Sequence, residues 1–161
     1  MYFDGLSFLD EEREAWRPYE RLLGLPDEAL ADQLADCHGW SGRDLMAHLV
    51  AWQEHALAVA RELAVNETSP TRIRGDQEWA ARGDAINEEI RLAWLELPMD
   101  EVRRRMTAIP GELRGTLTVV PESRWLKNSD HLRFFLDETT DHYEAHMPDL
   151  QAVLGAAGAL A

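Results

Sequence analysis

The chain has 161 residues, 45% of them hydrophobic and 29% charged, with a formal net charge of −14. That length suits one globular domain with a core of its own, and the composition is not that of a disordered chain. The acidic balance excludes the basic patches that nucleic acid or anionic membrane would require.

Cys37 is the only cysteine, so an internal disulfide is excluded and a reducing, cytoplasmic setting is expected. The first residues lack the basic and apolar regions of a secretory signal, and no apolar run reaches the ~20 residues needed to cross a bilayer.

Hydrophobic spacing reads as helix nearly throughout. Residues 7–23 align Leu9, Trp16, Tyr19, Leu22 and Leu23, with Pro18 set to kink or restart the helix and Gly24 and Pro26 to close it. A short helical turn over 27–34 follows. The second long helix opens on Ser41 with Asp44 three residues later, a capping-box pattern that Trp40 can staple. Its inner stripe is Leu45, His48, Leu49, Trp52, Ala56, Val59 and Leu63.

Residues 66–75, rich in Thr, Ser, Pro and Gly, read as a loop. Helix returns over 76–97, marked by Trp79, Ile86, Ile90 and Trp94, and again over 101–119, where Pro110-Gly111 predicts a kink or break. A second loop covers 121–128. One last long helix is expected over 129–154, with Leu132, Phe135, Leu136, Thr139, His142, Tyr143, His146, Leu150 and Leu154 facing inward. No strand alternation or repeat is present, so the expected architecture is a single all-α domain over 1–161, a bundle of about four long helices with additional short ones.

Histidines dominate the candidate chemistry. His142 and His146 are four residues apart, so on a helix they point the same way, about 6 Å apart along the axis. A ring nitrogen from each can then reach within ~2.1 Å of one ion. The third ligand would come from the second helix. His48 and His55 share its face, but seven residues rise ~10.5 Å, so both cannot bind one ion; His48 is nearer the middle of the stripe. Three inward histidines point either to a metal centre with open coordination positions, the arrangement of a catalytic site, or to core imidazoles bonded to carbonyls. His38 and His131 are read as surface residues and Cys37 as a small, partly buried one. Glu138, one turn before His142, is a candidate second-sphere acceptor or base. Trp52 and Trp94 are read first as core.

The stretch Cys37-His38-Gly39-Trp40-Ser41-Gly42-Arg43-Asp44-Leu45-Met46-Ala47-His48-Leu49 resembles the Trp-Ser/Thr-x-x-Asp-x-x-x-His-Leu signature of the DinB-like superfamily, which includes the N-terminal domain of mycothiol-dependent maleylpyruvate isomerase. The run Asp141-His142-Tyr143-Glu144-Ala145-His146 resembles that group's second signature, Asp-His-x-x-x-His on the final helix. Their separation also fits, so the resemblance spans nearly the whole chain.

It implies a DinB-like four-helix bundle holding a divalent ion, zinc or nickel, on His48, His142 and His146, and a homodimer. It also implies a metal-dependent thiol S-transferase or isomerase using a low-molecular-weight thiol as co-substrate. These 161 residues hold no counterpart of the additional C-terminal domain of the longer isomerases, so that particular reaction is not the expected one. Glu138 and Tyr143 are the candidate proton handlers. Two other functions fit the same residues: a hydrolase that activates water on the ion, and a non-catalytic bundle that binds a small apolar molecule between some of its six tryptophans.

Overall fold

The computed structural model describes residues 1–160. Those residues form helices and connecting turns, with no strand among them. The α-helices are α1 (Gly5–Trp16), α2 (Asp27–Ala31), α3 (Gly42–Val65), α4 (Pro70–Arg82), α5 (Asp84–Leu95), α6 (Met99–Leu117), α7 (Ser129–Glu138), α8 (Thr140–Ala145) and α9 (Met147–Ala156). Short 3-10 turns lie at Arg17–Gly24, Ala35–Cys37 and Glu122–Arg124.

The central helix is α3, packed most extensively on α6 and also on α4, α5, α7 and α9. Its start is fixed as the sequence foretold: the Ser41 hydroxyl accepts from the Asp44 amide at 3.1 Å, and the Asp44 carboxylate accepts from the Ser41 amide at 3.0 Å. Gly42 follows because nothing larger fits. A Cβ there would stand 2.9 Å from side-chain atoms of both Leu30 and Val153, so α2 and α9 close directly on the first turn of α3.

Two apolar clusters run along the molecule. One joins Trp16, Tyr19, Leu45, Leu49, Tyr143, Leu150 and Val153; the other joins Phe8, Leu57, Leu63, Leu113, Trp125 and Phe135.

Several expectations are corrected. The segment read as one helix over 129–154 is broken twice, at Thr139 (φ −127, ψ −103) and at His146 (φ −95, ψ 5). Thr139 is fully buried and its hydroxyl donates to the Phe135 carbonyl, a local bond that competes with the helical ladder. Pro148 in the first turn of α9 has no N–H to continue the run.

The loop read over 66–75 is instead half helix. Ser69 caps α4 by accepting from the Arg72 amide at 3.1 Å, Pro70 occupies the first turn, and Gly83 (φ 50) divides α4 from α5 where one helix was expected. Conversely, α6 runs through Pro110, whose ring is buried. Pro18 does restart the chain, since α1 ends at Trp16 and the 3-10 turn begins at Arg17.

No helix among the described residues is long and apolar enough to cross a membrane.

Candidate metal centre

His48 stands on the first half of α3, His142 on α8 and His146 at the break that follows α8. The break leaves their relationship intact, because the His146 amide still donates to the His142 carbonyl at 3.1 Å. One nitrogen from each of the three rings lies within 4.8 Å of the other two. Ring centroids are 4.7 Å (48–146), 4.8 Å (48–142) and 4.9 Å (142–146) apart, with planes inclined at 67°, 73° and 73°. The rings thus form a nearly equilateral triangle.

Nε2 of His48 and Nε2 of His142 are 2.9 Å apart. Two lone pairs at that distance repel unless something positive lies between them, either a proton or a cation. Burial, reinforced by the two neighbouring imidazoles, lowers the His48 pKa to about 2, and burial together with His146 lowers that of His142 to about 3. Both rings are therefore neutral at ordinary pH, the state in which an imidazole ligates a metal. Nδ1 of each is buried with no hydrogen-bond partner.

His146 is anchored differently. Its Nδ1–H donates to Oδ2 of the buried Asp149 at 2.7 Å, which assigns the tautomer and leaves Nε2 with a free lone pair. A carboxylate behind the histidine is the arrangement that orients a metal-bound imidazole. The other oxygen of Asp149 faces Nε2 of the exposed His38 at 3.2 Å. His38 has a left-handed backbone (φ 57), and Gly39 after it does too (φ 79). That tight turn swings His38 onto Asp149 and lays Trp40 against the triad, 4.9 Å from the His48 ring and nearly parallel to His146 at 6.2 Å. The donor set, three neutral imidazoles with one held by a carboxylate, fits a divalent ion of borderline softness.

A cavity of about 610 Å³ opens onto His48 and His142. Beside them on α3, its walls take Trp52, whose indole N–H donates to Asn87 at 3.0 Å, and His55. From α4 come Arg72, Asp76 and Trp79, and from α7 come Arg133, Phe134, Asp137 and Glu138. His55 lies in the same cavity but outside the triad, against Trp52 (5.6 Å) and Phe134 (5.7 Å). A Cβ on Gly75 would come within 2.7 Å of the His55 ring, so α4 closes on it only through a glycine. Burial pushes the Glu138 carboxyl up to about 8, with help from Asp137 and Asp76.

Tyr143, His131, Cys37 and Trp94 do not line this cavity. Tyr143, expected as a proton handler, is fully buried and does not line the cavity. Its hydroxyl donates to Glu12 Oε1 at 2.9 Å and accepts from Gln53 Nε2 at 2.8 Å, while Arg114 holds the other Glu12 oxygen at 2.9 Å.

His131 is not a surface residue. It is buried, with Nδ1–H donating to the Arg124 carbonyl. Cys37 is wholly rather than partly buried, and burial, with Asp149 and Asp44 adding to it, raises its thiol pKa to about 12. Trp94 is core, whereas Trp52 is half-buried and lines the cavity.

The residues of this centre that the sequence reading missed are Trp40, Asp149 and the α4 wall. Only Asp149 carried a local signal, three residues after His146. Comparison with protein-family models, with curated proteins and with solved structures finds no match for this chain.

Proposed function

We propose that the chain is a metal-dependent enzyme with a DinB-like four-helix bundle, acting on a small molecule as a thiol S-transferase or isomerase. The observation that carries the reading is the triangle of neutral histidines facing a cavity large enough for a substrate. The two signature stretches of sequence support it, since their histidines meet in space.

His48, His142 and His146 would hold the ion, and Asp149 would keep the Nε2 lone pair of His146 directed at it. A divalent ion there, zinc or nickel, would supply Lewis acidity, lowering the pKa of a thiol or water placed upon it. Glu138 lines the same cavity, and its raised pKa keeps a proton on it near neutral pH, which suits the transfer of a proton to or from the bound molecule. Trp52, Trp79 and Phe134 give the substrate an apolar bed. A homodimer in the cytoplasm completes the proposal.

The test is metal content by elemental analysis of the purified protein beside His48→Ala and His142→Ala, followed by turnover with and without added thiol. About one equivalent of metal in the parent and loss in both variants is expected. Unchanged metal in the variants removes the reading. Turnover that needs metal but no thiol makes the reaction a hydrolysis by activated water.

A further inference from the structure

The cavity beside the triad carries unequal charge. Each of its two guanidinium groups faces carboxylates: Arg133 Nε donates to Asp137 at 2.9 Å and the same group reaches Asp141, while Arg72, which makes no side-chain hydrogen bond, pairs with Asp76 at 3.5 Å and lies 5.5 Å above the Phe134 ring. Two carboxyl groups of the lining, Asp130 and Glu138, have no cationic partner among the described residues. Glu138 is the deeper of the two, and its side chain accepts no hydrogen bond from any described residue.

Beside this acid stand the indoles of Trp52 and Trp79, set edge to face at 5.7 Å and 83°. An indole face presents negative charge to whatever occupies the cavity, and so does an unpartnered carboxyl that has given up its proton. An anionic group such as a carboxylate, phosphate or sulfonate would meet on these walls only guanidinium groups already facing a carboxylate. A positively charged group would meet the faces of two indoles and a carboxyl with nothing else to bind.

We infer that the substrate taken by this cavity is an organic cation, an ammonium group carried on an apolar or aromatic body. Trp52 and Trp79 receive the ammonium group on their faces, Glu138 releases its proton and neutralises it as the carboxylate, and Phe134 packs on the body. The other end of the molecule lies at His48 and His142. Trp52 follows His48 by one turn of α3, a rise of about 6 Å, so a cation on the indoles lies one turn from the histidine end. The inference rests on the reading above only for that histidine end; the cation preference stands on the cavity walls.

The test is calorimetric titration of the full chain at pH 8.5 with benzyltrimethylammonium, benzyl alcohol and benzylsulfonate. Parent, Glu138→Gln and Trp79→Ala are each studied after chelator treatment and again with added zinc. Trp79 is 44% exposed, so its removal leaves the core untouched, and thermal melts confirm that both variants fold.

The ammonium probe is expected to bind the parent about tenfold more tightly than benzyl alcohol, and the sulfonate not at all. Glu138→Gln should cost the ammonium probe about tenfold while leaving benzyl alcohol unchanged, and Trp79→Ala should weaken the ammonium probe selectively. Sulfonate binding as tightly as the ammonium, equal binding of the ammonium probe by parent and Glu138→Gln, or no binding of any probe overturns the inference. A cation preference that persists in protein unable to hold zinc leaves this inference standing and removes the metal reading. Zinc binding without the preference does the reverse.

Discussion

At the scale of the residue, Asp149 distinguishes a built centre from three histidines that happen to face inward. Without an acceptor at Nδ1 the His146 ring can exchange tautomers, and one of the two turns a proton toward the other two rings. Asp149→Asn keeps the shape and removes the charge. Zinc affinity, read by competition with a chromophoric chelator, is expected to fall about 10–100-fold, with the melting temperature of the zinc-free protein little changed. An affinity equal to the parent's would mean that Asp149 is a core group serving His38 and nothing more.

The three histidines of the candidate centre were legible, because His48, His142 and His146 each take an apolar position in a helical stripe. Asp149 was not singled out, since an acid three residues beyond a histidine is common on any helix. Trp40 could be seen only as a helix staple, because its contact with the triad depends on the left-handed turn at His38 and Gly39.

At the scale of the element, the helices differ in what holds them. Buried residues run the length of α3, from Gly42 to Leu63, whereas α4 has none. It is retained by its Ser69 cap, by Glu62 accepting from Ser69 and Thr71, by Gly75 resting on His55, and by the perpendicular contact of Trp79 with Trp52. Amide exchange is therefore expected to be at least about a hundredfold faster in the middle of α4 than in the middle of α3. Equal protection would show that the two open as one unit.

This difference also explains what the sequence concealed. A helix with no buried stripe leaves no periodic signal, so residues 70–75 read as loop from their Pro, Thr and Gly alone. The breaks at Thr139 and His146 were hidden for the opposite reason, since the apolar pattern runs on across both. The fold class, the start of α3 and the restart after Trp16 were legible because caps and prolines act locally. The cavity was not, because five separate helices contribute its walls.

At the scale of the whole molecule, folding costs the centre its ability to take up protons. His48 and His142 titrate near 2 and 3 in the folded chain, against 6.5 when exposed. Above pH 6.5 both states carry neutral rings and the histidines contribute nothing to the pH dependence. Below it the unfolded chain gains protons that the folded chain refuses, so this contribution turns progressively destabilising as the pH falls.

Buried Glu12 and Glu138 act in the other sense. Their raised values favour the folded state in acid, and that advantage is lost as the pH rises from 4.5, for Glu138 up to about 8. A difference measurement separates the two. In metal-free protein, stability from urea unfolding is expected to fall less steeply for His48→Gln than for the parent between pH 6 and 4, by about 1.4 kcal/mol per pH unit. Parallel curves would mean that His48 is charged in the folded chain.

Trp40 lies against both His48 and His146, close enough for its excited state to sense what the two rings hold. The protein thus carries an optical indicator of its own centre. A paramagnetic ion such as nickel would darken the Trp40 share of the emission, whereas closed-shell zinc would leave it bright. Subtracting the spectrum of Trp40→Phe isolates that share, so binding of an added ion at the triad, and its identity, would be read by light in the intact chain.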